Sequence, residues 1–252
     1  MNTATASSRV PREPALAGQT VVVIGGSAGI GLETGRQARA EGAKLILIGR
    51  NQEHLDHAAR ELDALSTAAF DATDFERLER CFNELPRPID HLMVTGPGPY
   101  YAPLAEFDVD KARRNVDAHL FLAMQVARYA AKKTRPGGTL LFMSGTSGRR
   151  PSTGALIAAL TAAMPALTKT LALQIAPVRV NCIAAGFVDT PLSASLLGDR
   201  LDARRDQLRT TLPIKRVVGP ADIAALAVHL MTNTAVTGAT YDIDGGQQLV
   251  DG

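Results

Sequence analysis

The sequence predicts an α/β domain, a doubly wound parallel sheet of about seven strands with helices on both faces, folded as one unit over residues 18–252. Three observations carry that expectation. Strand-length runs that are apolar throughout, such as "TVVVIG" at 20–25 and "KLILIG" at 44–49, alternate with helix-length segments. Continuous apolarity, rather than alternation, marks strands buried on both faces, as in a parallel sheet. A glycine-rich turn separates the first strand from the first helix. Finally, 252 residues, 46% of them hydrophobic, suffice for one large core without a second domain.

The elements follow in order. After the strand at 20–25 comes a helix over 29–41, then the strand at 44–49 and an amphipathic helix over 51–65 with Leu55, Ala58, Leu62 and Leu65 on one face. A short strand at 67–72 leads to a helix capped by Thr73 and ended by Pro86. "IDHLMVTG" is the fourth strand, and one long helix runs over 110–133. "GTLLFMSG" is the fifth strand, followed by a helix over 154–173 in which Pro165 predicts a kink or break. "VRVNCIAAG" is the sixth strand. An excursion over 191–218 has the length of a lid. A helix with Pro220 in its first turn and a short strand, "GATYDIDGG", complete the chain.

Composition excludes several classes. The net charge is +2 and the basic residues are scattered, so neither nucleic acid nor a membrane surface is expected as a partner. No apolar run reaches the ~18 uninterrupted residues of a membrane span. Residues 1–17 lack the apolar stretch of a secretory signal and read as a mobile tail, which makes the cytoplasm the default location. Cys81 and Cys182 lie in unrelated segments and read as reduced, packed thiols. His54, His57, His91 and His229 show no metal-ligand spacing, and no metal is expected.

In "VIGGSAGIGLETG", Gly25, Gly29 and Gly31 make a GxxxGxG spacing between strand and helix, with Ser27 and Ile30 inside it. Glycine allows the tight turn and brings backbone N–H groups to a pyrophosphate at the helix N-terminus. The second strand ends in Gly49-Arg50-Asn51, where a carboxylate would hold the ribose hydroxyls of NAD. A guanidinium in its place favours the 2′-phosphate, so NADP(H) is expected over NAD(H). Asp71-Ala72, closing the third strand, offers either an acceptor for the adenine amino group or a cap for the next helix.

These residues, with "IDHLMVTG", "GGTLLFMSG", "LALQIAPVRVNCIAAGFVDTPL" and "DIDGG", resemble the short-chain dehydrogenases/reductases from Leu16 to Val250. The resemblance implies a seven-stranded Rossmann fold, a nicotinamide cofactor at the strand C-termini, and hydride transfer to or from a carbonyl or alcohol carbon. It also implies a homo-oligomer, commonly a dimer or tetramer. Gly96 follows the fourth strand, and Gly186, Val188 and Thr190 match the family positions against the nicotinamide, with Ala185 where proline is usual.

The chain departs from the family at its acid/base pair. The Tyr-x-x-x-Lys positions fall on Ile157 and Thr161, and Lys169 lies more than two turns further on. The family's serine position falls at or beside Gly145, flanked by Ser144 and Ser147. Its structural asparagine aligns with His119, with Asn115 one turn earlier as the other candidate. The candidates to polarise a carbonyl or move a proton are therefore Ser144, His119 and Tyr100, the last in the loop after the fourth strand beside Tyr101. The expected function is NADP(H)-dependent reduction or oxidation of a small carbonyl, alcohol, enone or quinone with a non-standard proton apparatus. The alternative is an NADP(H)-binding protein without turnover, a sensor or a partner of an active relative.

Overall fold

The computed structural model describes residues 13–96, 98–151 and 154–250. Seven parallel strands form one sheet in the order β3-β2-β1-β4-β5-β6-β7. They are β1 (Thr20–Ile24), β2 (Lys44–Gly49), β3 (Ser66–Ala69), β4 (Ile89–Val94), β5 (Thr134–Gly145), β6 (Arg179–Ala185) and β7 (Thr240–Ile243). The order reverses between β1 and β4, which pair in parallel from Val21↔His91 to Ile24↔Val94. A crevice opens at such a switch point beyond the strand C-termini, and the site lies there.

The apolar runs split by parity, because successive side chains on a strand point to opposite faces. Val22, Ile24, Ile46, Ile48, Leu92 and Phe142 join one core with α3 (Phe75–Glu84), α5 (Leu122–Lys133) and α6 (Ala155–Gln174). Val21, Val23, Leu45, Leu47, Met93 and Leu141 join the other with α1 (Gly29–Ala40), α2 (Gln52–Leu62) and α9 (Pro220–Thr232). Helix α6 is long and apolar enough, by composition alone, to cross a membrane. Here it lies on the sheet, burying Ile157, Leu160, Thr161, Met164, Thr168 and Leu171.

The structure corrects several boundaries. The expected mobile tail does not extend to Leu16, which is fully buried and whose amide donates to the Glu41 carbonyl. Residues 1–12 lie outside the described residues. Asp74, not Thr73, caps α3, because its carboxylate accepts from the Arg77 amide at 3.0 Å. Pro165 does not break α6, whose apolar contacts on the sheet carry it through one missing hydrogen bond. The single helix expected over 110–133 is two, α4 (Val109–Val116) and α5, joined by a π-helical turn over Asp117–Phe121. The excursion over 191–218 folds as α7 (Pro191–Leu197) and α8 (Leu201–Thr211), and a parallel bridge between Val188 and Val218 closes its base.

One buried charge escaped the sequence reading. Arg179 on β6 is 6% exposed and has no carboxylate partner among the described residues. Its guanidinium donates to the carbonyls of Gly137, Leu230, Met231, Asn233 and Val236 and to the Thr139 hydroxyl. Three of those carbonyls lie at the C-terminal end of α9, where the helix dipole is negative.

Candidate active site

The glycine-rich turn has the shape its spacing implies. Gly25 has φ +88°, and a Cβ there would run into the Thr95 side chain. A Cβ on Gly31 would stand 2.8 Å from the Gly25 carbonyl carbon and closer still to its oxygen. The Gly31 collision is with backbone that cannot step aside, and at Gly25 the positive φ and the Thr95 carbonyl oxygen at 3.0 Å add to the clash, so glycine is favoured at both. Helix α1 then begins with no side chain capping its N-terminus and no acidic residue in its first turn. Its first N–H groups and the positive end of its dipole face the turn with no capping side chain among the described residues, the arrangement that accepts a pyrophosphate. The residues present fit a dinucleotide on these grounds.

The end of β2 supplies the neighbouring contacts. A Cβ on Gly49 would lie 3.2 Å from Ser27 Oγ, so Ser27 and Gly49 adjoin, with exposed Arg50 next in sequence. Asn51 caps α2, its side chain accepting from the His54 amide at 2.9 Å. Asp71 does not cap α3, which Asp74 does; it accepts from the Thr73 amide and hydroxyl at 2.9 and 2.8 Å. Burial works against its charge, but those bonds and nearby Arg50 hold the Asp71 carboxyl below its ordinary range. Ala72 packs against the core.

A cavity of about 750 Å³ runs from this turn into the fold. Ile30, Gly96, Gly186, Val188 and Thr190 line its cofactor side. Gly29 faces Thr190, a Cβ there falling 3.6 Å from the threonine side chain, so the first and sixth strand ends meet as the resemblance implied. Thr190 itself caps α7 through the Ser193 amide at 3.2 Å. Gly186 admits no Cβ, which would lie 2.6 Å from Asp244 Cβ.

Ser144, His119 and Tyr100 all line the same cavity, together with Ile157 and Thr161, the positions expected to replace the tyrosine and lysine. Ser144 Oγ is buried and without a hydrogen-bond partner among the described residues. Thr161 turns its hydroxyl back onto its own helix, to the Ile157 carbonyl at 2.8 Å. His119 sits in the π-helical turn, a feature frequent at functional sites. Its Nδ1 is 2.8 Å from the Asn115 carbonyl oxygen. A carbonyl only accepts, so Nδ1 carries the proton and Nε2 the free lone pair. Burial lowers the His119 pKa from 6.5, against the opposing pull of that hydrogen bond. Asn115, the other candidate, is buried with its Nδ2 on the Gly98 carbonyl at 3.3 Å.

Tyr100 departs from the expected role of acid. Its hydroxyl accepts from the Asp108 amide at 2.9 Å and donates to the Glu106 carbonyl at 3.4 Å, which fastens its own loop. Only its ring serves the cavity wall. Lys169 is exposed on α6 and does not line the cavity. Among the lining residues not singled out from sequence are Arg200 and Arg204, which the excursion carries over the cavity. Among the described residues no group of three His, Cys, Asp or Glu side chains gathers as a metal site.

The reversed strand order, the glycine turn and the open helix end define a dinucleotide-binding domain of the Rossmann type. A family model described as enoyl-(acyl carrier protein) reductase matches residues 25–248. The chain belongs to the short-chain dehydrogenase/reductase family. It is 27% identical to the short-chain dehydrogenase/reductase ATR9 of Stachybotrys chlorohalonatus, over 94% of this chain and 99% of that protein. Among solved structures it is similar to the MalC reductase/Diels-Alderase of Malbranchea aurantiaca, with a TM-score of 0.87 and 25% identity over 94% and 99% of the two chains. It is also similar to BdcA in complex with NADPH, with a TM-score of 0.82 and 25% identity over 92% and 95%.

Proposed function

We propose that the chain is an NADP(H)-dependent oxidoreductase acting on a carbonyl, an alcohol or an activated enone or quinone, with Ser144 and His119 in place of the Tyr-x-x-x-Lys pair. One observation carries the reading. A single cavity joins residues that would hold a nicotinamide, Ile30, Val188 and Thr190, to an unpartnered buried hydroxyl and a histidine. When bound, the dinucleotide supplies or accepts the hydride. Ser144 donates its idle O–H to the substrate oxygen and polarises it. His119, neutral at pH 7, accepts an alcohol proton at Nε2 during oxidation. During reduction it donates only from its protonated fraction, which burial keeps small and which grows as pH falls. Such help is worth about 10²–10⁴-fold in rate.

Arg50, with Ser27 and Asn51 beside it, supports a preference for NADP(H), as does the NADPH bound by BdcA. Exposed Phe121 and Met124 on one side and Leu173 on α6 support assembly into a homo-oligomer, and a cytoplasmic location completes the reading. The second reading, a binding protein without turnover, is favoured by Ile157 and Thr161 alone.

The experiment is a fluorescence titration with NADPH and NADH beside an NADPH-oxidation assay over ketones, enones and quinones from pH 5 to 8. Turnover whose rate climbs toward acid pH, with that climb absent in His119→Ala, supports the proposed apparatus. Tight NADPH binding with no turnover anywhere moves the assignment to the second reading.

A further inference from the structure

The cavity lining is largely apolar but carries two cations. Met143, Ile157 and Phe187 line it from the body of the fold, and Leu192, Leu196 and Leu197 from the excursion. Arg200 and Arg204, further along the excursion, line it as well. Arg200 precedes α8 directly and Arg204 lies four residues on, so both share one helix face.

The pairing along α8 sets these two arginines apart from their neighbours. Arg205 donates to Asp202 and to Asp189, and Arg209 to Asp206, each at an ion-pair distance. Both i,i+3 pairs that face outward thus match arginine with carboxylate. At the same spacing Arg204 meets Gln207, a neutral acceptor, at 2.7 Å. Arg200 has no ion pair among the described residues, and Arg150 donates to a neutral group, the Val250 carbonyl at 2.6 Å. Burial first, and Arg150 close by second, pull the Arg204 pKa down. A half-buried guanidinium beside another cation and without a carboxylate among the described residues is a site in want of an anion.

We propose that Arg200 and Arg204, with Arg150 behind them, clamp an oxyanion at one end of an elongated apolar substrate, whose other end presents the reacting carbon to Ser144 and His119. The substrate class is then an apolar carbonyl or alcohol compound ending in a carboxylate or a phosphate. The inference rests on the oxidoreductase reading for the reacting end, but the clamp itself is testable without turnover.

The test uses three probes of one apolar skeleton: 4-phenylbutyrate, its methyl ester, and the corresponding phenylalkyl phosphate. Each is titrated by calorimetry into the full chain, free and saturated with NADPH. The expected result is that the carboxylate or the phosphate binds at least tenfold more tightly than the ester, and the arm that binds tighter identifies the anion. Arg204→Met, which keeps the apolar stem, is expected to erase that preference while the Kd for NADPH stays unchanged. Equal binding of anion and ester, or a preference that survives in Arg204→Met and Arg200→Met alike, overturns the clamp. Asp251 follows Val250 in sequence, so Asp251→Asn is the further control. A tenfold gain in anion binding there would mean that the chain's own carboxylate fills the site, and would overturn the proposal too. Failure of NADPH to bind sinks the oxidoreductase reading and leaves the titrations of the free chain to judge the clamp.

Discussion

Replacing Gly31 by alanine tests the cofactor cradle most directly. The new Cβ would stand 2.8 Å from the Gly25 carbonyl carbon and 3.2 Å from Gly26 Cα. A relaxed carbon–carbon contact is about 3.5–4.0 Å, so the turn must open by roughly 0.7–1.2 Å. Both neighbours are backbone, which moves only with the strand and helix attached to it. Overpacking of this kind costs about 1–3 kcal/mol, or a fall in Tm of roughly 2–12 °C for a chain of this size. The opening also withdraws the first N–H groups of α1 from the position of the pyrophosphate. Losing one or two charge-assisted hydrogen bonds at about 1.5–3 kcal/mol each weakens NADPH binding by at least ~10-fold and by up to ~10⁴-fold. The assay is nucleotide fluorescence titration beside calorimetric melting with and without NADPH. The wild-type chain gains about 2.7 kcal/mol of stability at a hundredfold excess over Kd, and the Gly31→Ala chain gains little. A second variant, Ala28→Asp, places a carboxylate at the exposed start of α1 without any packing change and is expected to weaken NADPH in the same way. Unchanged NADPH affinity in both folded variants would refute the assignment of the α1 N-terminus as the anion site.

Three further outcomes are expected. Arg50→Ala is expected to narrow the NADPH-over-NADH preference by about 10–100-fold, the worth of one charged contact to phosphate; paired titrations measure it, and a preference left intact would assign the 2′-phosphate elsewhere. Arg179→Met removes a donor to five buried carbonyls and is expected to cost about 3 kcal/mol or more, seen as a fall in Tm of roughly 6 °C or beyond. A shift within 2 °C would contradict the role given to that guanidinium. His91, buried against Gln19 Oε1 at 2.7 Å, has its pKa pushed down to about 4, chiefly by burial, with Asp90 opposing and Arg135 and Arg179 assisting. The unfolded chain therefore binds the proton first, and this group's contribution, about 3 kcal/mol, is present above pH 6.5 and lost as pH falls toward 4. Denaturant melts at pH 7, 5.5 and 4 check it, and His91→Gln is expected to flatten that part of the profile.

The fold was legible because its signals are local. Apolar runs at strand length, interleaved with helical segments, specify a parallel sheet, while the order of its seven strands is seen only in the structure. The glycine turn was equally legible, since Gly25 and Gly31 are favoured by collisions with residues a few positions away or on the adjacent strand. Element ends were less so. Thr73 and Asp74 are both good caps, and only the path of the chain chose Asp74. The π-helical turn at 117–121 leaves no mark in a periodicity that both helix types satisfy.

The site divides along the same line. Sequence by itself determined that a glycine-rich turn follows the first strand, that Arg50 rather than a carboxylate follows β2, and that the helix after β5 carries no tyrosine. Those are statements about residue type at a known place in a known element. Tertiary structure alone decided which distant groups share a cavity and which way their polar atoms face. It left Ser144 Oγ without a partner, bound His119 Nδ1 to the Asn115 carbonyl, and spent the Tyr100 hydroxyl on the Asp108 amide. It also brought Arg200 and Arg204 over a cavity that begins more than a hundred residues earlier in the chain, at Ile30. Hydrogen bonds and charges act over a few ångströms of space, and a chain's order fixes such distances only within an element.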